Sequence, residues 1–323
     1  MKKLLPFILI LLTVISCDAP EMPLPGITGK AGELVVVMDE ALWKGPIGDT
    51  VFNILTKDVY GLPQPEPTFN VVHIKSSAFT KIFQTHRNIV YINVKEGLKN
   101  AIELKTDVWA SPQVVIDISA SSTAELNKII GTNANNIVGH ILNKEQSRIL
   151  RSYNVQLNKT LAKDLQAKWS LKMSVPEGYI SISEDENFSW LRHENIDINQ
   201  NILLYSEPYE KENTFSKEGI TEVLNKLGKN HIPGPDEGTY MSIYPDYPPK
   251  FEASSLGGNY AAKLVGLWNV EGALMGGSFV CYAFLDATGT QVIYLYGFVF
   301  APGKNKRNYV RQVDAILSST QLN

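Results

Sequence analysis

An α+β fold of two mixed α/β domains is predicted for this 323-residue chain, the second a largely antiparallel sheet with helices packed on it. Three observations predict it. Before residue 120, apolar runs rich in Val and Ile alternate with segments of helical spacing, the pattern of layered sheet and helix. Between residues 121 and 168, apolar residues recur at helical intervals. After Trp169, apolar runs of strand length are separated by turn residues.

In chain order, the first segment stands outside the fold. Lys2 and Lys3 precede an apolar run over 4–15, then Ser16 and Cys17. This reads as a lipoprotein signal peptide over 1–16, too short to span a bilayer, with Cys17 taking a diacylglyceryl thioether and, after cleavage, one acyl chain such as palmitate on its amine. The alternative is an ordinary secretory signal whose cleavage site contains a cysteine. Residues 17–29, with Pro20, Pro23 and Pro25 and no periodicity, read as a tether. Three acyl chains exceed the two signals that stable anchoring needs, so the membrane is the first partner expected, reached through lipid.

The N-terminal domain is expected over 30–165. A β-branched run at 33–38 is a buried strand, and Gly45-Pro46 opens a helix whose Val51, Ile54 and Leu55 share a face. Prolines 63, 65 and 67 make a rigid loop. Strands follow at 69–74, 88–94 and 112–118, with a short helix at 77–83. In the helical stretch, Asn133 to Asn136 weakens the pattern, so a short helix followed by a longer one is expected.

The C-terminal domain is expected over 166–323. Strands are read at 170–175, 179–183, 188–192 and 202–205, and a helix at 217–227. After a loop over 232–238, strands are read at 240–244, 262–268, 278–285 and 291–300. A last helix at 309–317 turns Val310, Val313, Ile316 and Leu317 to one side.

Composition excludes some functions. The formal charge of −3 falls to −5 once Lys2 and Lys3 leave with the signal, and clustered Lys and Arg are lacking, so no nucleic acid is expected. The densest basic stretch, Lys304 to Arg307, reads as a solvated loop, and so does the strand-end cluster Arg192, His193 and Glu194. Hydrophobic residues make up 44% of the chain, enough for substantial cores. Of two cysteines, lipidation takes Cys17, which leaves Cys281 in an apolar run with no neighbour to lower its pKa. It reads as a buried thiol with no disulfide. None of the five histidines pairs at a metal spacing, so no metal or cofactor is expected. Residues 26–32 look like a phosphate loop, but Leu24 and Ala31 stand where Gly and Ser or Thr are required.

Two places are singled out for binding. His86, Arg87 and Asn88 fall at a turn between a short helix and a buried strand, where the three side chains suit a carboxylate or phosphate; the alternative is that they satisfy backbone groups of the turn. Pro233, Gly234 and Pro235 form a stiff loop, and Gly276 with Gly277 permits close backbone approach; both are recognition loops or plain turns. No catalytic residue is assigned.

A set of motifs spread along the whole mature chain resembles a family of uncharacterised lipoproteins from Bacteroidota, known only as a domain of unknown function. They include Trp43 with Gly45-Pro46, Phe83 with His86-Arg87-Asn88, Trp109 with Pro112-Gln113, Ile232-Pro233-Gly234-Pro235, Gly266-Leu267-Trp268 and Met275-Gly276-Gly277. The resemblance implies an outer-envelope address and no established activity. In element order, the second half resembles a PsbP/Mog1-like α/β/α sandwich, which by fold analogy implies a binding or assembly module. The expected function is a lipid-anchored, non-enzymatic interaction module with an envelope protein as partner; the alternative is an envelope enzyme or small-ligand receptor with its site between the domains.

Overall fold

The structure, a computed structural model, describes residues 23–210 and 212–322. The expected signal peptide and Cys17 lie outside the described residues. Among those described, no helix is long and apolar enough to cross a membrane. The fold is α+β, in two domains, as the alternating runs predicted.

The first domain holds strands β1 (Glu33–Met38), β2 (Asn70–Lys75), β3 (Asn88–Val94), β4 (Ala101–Thr106) and β5 (Val114–Ala120), with helices α1 (Glu40–Trp43), α2 (Pro46–Leu55), α3 (Lys81–Gln84) and α4 (Thr123–Val155). Its sheet order is β2-β1-β3-β5-β4, parallel except for β4. The continuous run in β1 follows from burial on both faces. Leu34, Val36 and Met38 meet α2 and α4, while Val35 and Val37 meet the side covered by Phe79 and Trp109.

Helix α4 runs unbroken through Asn133 to Asn136, contrary to the expected interruption. Asn133 Nδ2 donates back to the Ile129 carbonyl at 2.8 Å, so its amide is satisfied without unwinding the helix. Leu126, Ile130, Ile137 and Ile141 lie in the sheet core and hold the rod in place. The break comes instead at Gln156 to Asn158, where Asn158 caps α5 (Lys159–Trp169) by accepting from the Leu161 amide. Leu161, Leu165 and Trp169 of α5 pack in the core of the second sheet, so the boundary expected at 165 falls inside this helix.

The expected tether is docked from Pro25 onward. A proline lacks a donor but keeps its carbonyl, and Pro25 O accepts from the Ser111 amide at 2.9 Å. Thr28 pairs with His86 in a parallel bridge.

The remaining elements are β6 (Leu171–Lys172), β7 (Ile180–Asp185), β8 (Phe188–Glu194), β9 (Asn199–Pro208), α6 (Lys217–His231), β10 (Tyr240–Ile243), β11 (Lys250–Leu256), β12 (Asn259–Glu271), β13 (Ala273–Leu285), β14 (Gln291–Phe300), α7 (Arg307–Ser318) and β15 (Gln321–Leu322). The large sheet is antiparallel, ordered β10-β12-β13-β14-β9-β8-β7, with β11 also on β12. One face is covered by α6 through Ile220, Val223, Leu224 and Leu227. The other is covered by α5 and by Val313, Ile316 and Leu317 of α7. Only Leu171 and Lys172 of the strand expected over 170–175 pair, with β15.

The proline loop before β2 clasps the domains together. The Glu66 carboxylate accepts the first amides of α7, from Lys306 at 2.5 Å and Arg307 at 3.1 Å, so an anion sits at the positive end of a helix. Arg311 Nη2 donates to Thr68 O at 2.9 Å, and Arg307 to Pro67 O. Lys306 and Arg307 are therefore buried rather than solvated, because they carry this joint.

Candidate functional site

The first singled-out motif is built into the frame of the N-terminal domain. Asn88 is fully buried and donates to Glu33 O and to Glu145, each at 2.8 Å. Arg87 grips Glu145 at two points, and Arg148 adds a third charge contact at 2.6 Å while donating to the backbone at Arg87 and Pro112. Glu145 stands one turn beyond Ile141 on the buried stripe of α4, and a carboxylate at that place in an apolar stripe is the signal that sequence reasoning passed over. His86 packs over Gly29, where φ is +89° and a Cβ would lie 2.4 Å from the ring. Burial pushes the imidazole below its usual pKa, against the pull of its contact with the Asn88 carbonyl and of Glu33 at 3.6 Å. These side chains hold β1, β3 and α4 together.

The second motif rims a concavity in the C-terminal domain. Helix α6 ends at His231, and the concavity opens on the same sheet face that this helix covers. The chain turns back through Pro233 and Gly234, with the Gly234 amide bonded to Thr239 O and the Met241 amide to Ile232 O. The result is a cavity of about 260 Å³ with Pro233, Gly234 and Pro235 on one wall.

Register explains the other walls. Arg192 of β8 lies opposite Asn201 of β9, which lies opposite Phe298 of β14; Asn199 lies opposite Phe300. Trp268 of β12 lies opposite Gly277 of β13. A Cβ at Gly277 would come within 2.9 Å of the Trp268 indole nitrogen, so glycine there lets the indole lie flat across the strand. Trp268 meets the rings of Phe298 and Phe300 at centroid distances of 5.7 and 6.2 Å. Met241 and Met275 complete the apolar lining.

The polar groups are few. Asn201 Oδ1 accepts from Trp190 Nε1 at 2.9 Å and Arg192 Nε at 3.1 Å, and the Arg192 guanidinium lies 5.0 Å from the Trp190 ring centre. The sequence predicts a solvated cluster at Arg192, His193 and Glu194, but Arg192 lines this cavity. Trp268 Nε1 and Asn199 Oδ1 are buried without a hydrogen-bond partner. Leaving such groups unpaired costs about 1–3 kcal/mol each, and native proteins keep few of them. Among the described residues, no Ser, Cys, His, Asp or Glu lines the cavity, and those that do line it offer no nucleophile and no proton-transfer group.

A second cavity of about 380 Å³ lies between α4 and α7, lined by Glu145, Lys263, Arg311 and Asp314 among others. Lys263 pairs with Asp314 at 2.9 Å, and Glu145 is taken up by Arg87 and Arg148. Among the described residues, no group of three His, Cys, Asp or Glu side chains is placed to hold a metal ion. Cys281 is fully buried, and desolvation pushes its thiol far above its usual pKa.

Fold and cavity together define a two-domain α+β protein with a concave, aromatic-walled site in its second domain. The chain belongs to the family of the domain of unknown function DUF4837, which matches residues 158–319. A second domain of unknown function, DUF8532, matches residues 27–154. No curated protein matches the chain. Among solved structures, LpqN, involved in cell envelope biogenesis of Mycobacterium tuberculosis, is 12% identical over 47% of this chain and 82% of its own, with a TM-score of 0.29. A protein of Bacteroides thetaiotaomicron VPI-5482 is 10% identical over 48% of this chain and 46% of its own, with a TM-score of 0.27. The lipid transfer and protein localization domain of human StarD13 is 12% identical over 50% of this chain and 96% of its own, with a TM-score of 0.23. Scores this low assign nothing to this chain.

Proposed function

We propose that this chain is a lipoprotein of the bacterial cell envelope, held at the outer membrane by acylated Cys17, that works by binding rather than by catalysis. Its recognition site is the aromatic concavity behind Pro233, Gly234 and Pro235. The observation that carries this reading is the pair of buried, unpartnered groups, Trp268 Nε1 and Asn199 Oδ1, in a cavity whose walls hold no nucleophile or acid. Both belong to residues that line the cavity, and a ligand seated against them supplies the hydrogen-bond partners they lack. The Lys2, Lys3, apolar run and Ser16-Cys17 sequence supports the anchor.

Two experiments test this. A photoreactive side chain at position 235 of the native lipoprotein, crosslinked in its own cells, is expected to capture a reproducible envelope component identifiable by mass spectrometry; repeated capture of nothing counts against a binding role. Cys17→Ser is expected to move the protein out of the membrane fraction, and wild-type retention of this variant rules out the lipid anchor.

A further inference from the structure

The same concavity carries enough chemistry to name the class of its ligand, an inference that rests on the binding reading above. We infer that it takes an acylated apolar amino acid with a free carboxylate, as found at the carboxyl terminus of a peptide ending in an apolar residue.

Among the described residues, Arg192 is the one charged side chain in the walls. Its Nε is committed to Asn201 and its plane is steadied by Trp190, while Nη1 has only a long contact of 3.7 Å to the exposed Glu194. A guanidinium held in this way is preorganised for a planar anion, and a carboxylate is the planar anion that its remaining N–H groups match. Asn199 lies on the neighbouring strand, two residues along from the Asn201 that faces Arg192, and its unpartnered oxygen needs a donor. In an acylated amino acid, the amide N–H lies one carbon from the carboxylate, so both ends of this short span meet a partner.

The apolar floor of Phe298, Phe300 and Met275 then receives the side chain. The Trp268 ring packs against both phenylalanines, and its N–H lacks an acceptor, which the acyl carbonyl supplies. The volume of about 260 Å³ suits one or two residues and is too small for a whole lipid. A phosphate monoester brings no adjacent donor for Asn199 and no apolar body for the rings.

The test is a titration of the full-length lipoprotein with N-acetyl-phenylalanine, its amide, and the tripeptide Gly-Gly-Phe, read by the fluorescence of Trp190 and Trp268. The free acid is expected to give a saturable change, and the amide to bind about ten- to a hundredfold more weakly because the charged hydrogen bonds are lost. Arg192→Gln is expected to erase the difference between acid and amide. Arg192→Lys keeps the charge and restores part of that difference, a control if the Gln variant folds poorly. Tighter binding of the tripeptide identifies a peptide terminus; equal binding identifies a free acyl amino acid, and either supports the inference. Equal affinity for acid and amide in the wild type, or no response to any probe at about 10 mM, overturns it. If the position-235 crosslinker still captures an envelope component in that case, the ligand class is wrong and the binding role stands.

Discussion

Glu145 and Arg87, 58 positions apart in sequence, close a two-point ion pair at 2.8 and 3.0 Å. Arg148 and Asn88 share the same carboxylate, so the network joins α4 to the start of β3. Buried charges of this kind are expensive to expose one at a time. Glu145→Ala is expected to destabilise the protein by about 3–5 kcal/mol, because two guanidinium groups are left buried with no anion. Replacing Arg87, Glu145 and Arg148 together with apolar residues is expected to cost much less. Urea titration of both variants checks the contrast.

The contact of Glu66 with the start of α7 is a helix cap supplied by the other domain. Glu66→Ala is expected to cost about 1–2 kcal/mol, the usual value of a lost cap, and to loosen the clasp between the domains. Denaturation curves read the first effect. Faster proteolysis between residues 56 and 68 reads the second.

Acid is expected to weaken the fold partly through His86. Burial lowers its folded-state pKa below the ordinary value of 6.5, so on acidification the unfolded chain takes up this proton first. Its contribution is intact above about pH 6.5 and is lost as pH falls toward the folded pKa. His140, also lowered by burial, adds in the same direction. Stability measured between about pH 7 and pH 5 is expected to fall less steeply in His86→Gln than in wild type. An unchanged slope removes His86 from the account.

Cys281 is expected to resist alkylation in the folded protein at neutral pH. Its thiol is buried and its pKa is raised by desolvation, so little thiolate exists and no reagent reaches it. Mass spectrometry after iodoacetamide treatment is expected to show modification of Cys281 only when denaturant is present.

Where side chains sit in continuous apolar runs, the strands were legible. The strand read at 291–300 coincides with β14, and the strands in β1 and β3 were read from the same kind of run. Strands β4 and β11 were not read, because Ala101–Thr106 and Lys250–Leu256 are edge strands with half-exposed, polar sequences. Only the neighbour that pairs with them makes them strands. In the concavity, the Pro-Gly-Pro rim and the glycines under Trp268 stood out as turn chemistry. Arg192, Asn199, Trp268 and Phe298 did not, since they come from four strands, and only pairing register puts them on one face.

The sequence by itself determined the α+β class and the order of most elements, because periodicity and turn residues act locally. Tertiary structure decided which polar residues are spent and which are free. Arg87 and Asn88 are consumed by the Glu145 carboxylate on a distant helix and His86 packs beside Glu33 of β1, while Trp268 and Asn199 are left unpaired in the walls of the concavity. Hydrogen-bond satisfaction depends on what the fold brings within about 3 Å, and separation along the chain carries no record of that distance.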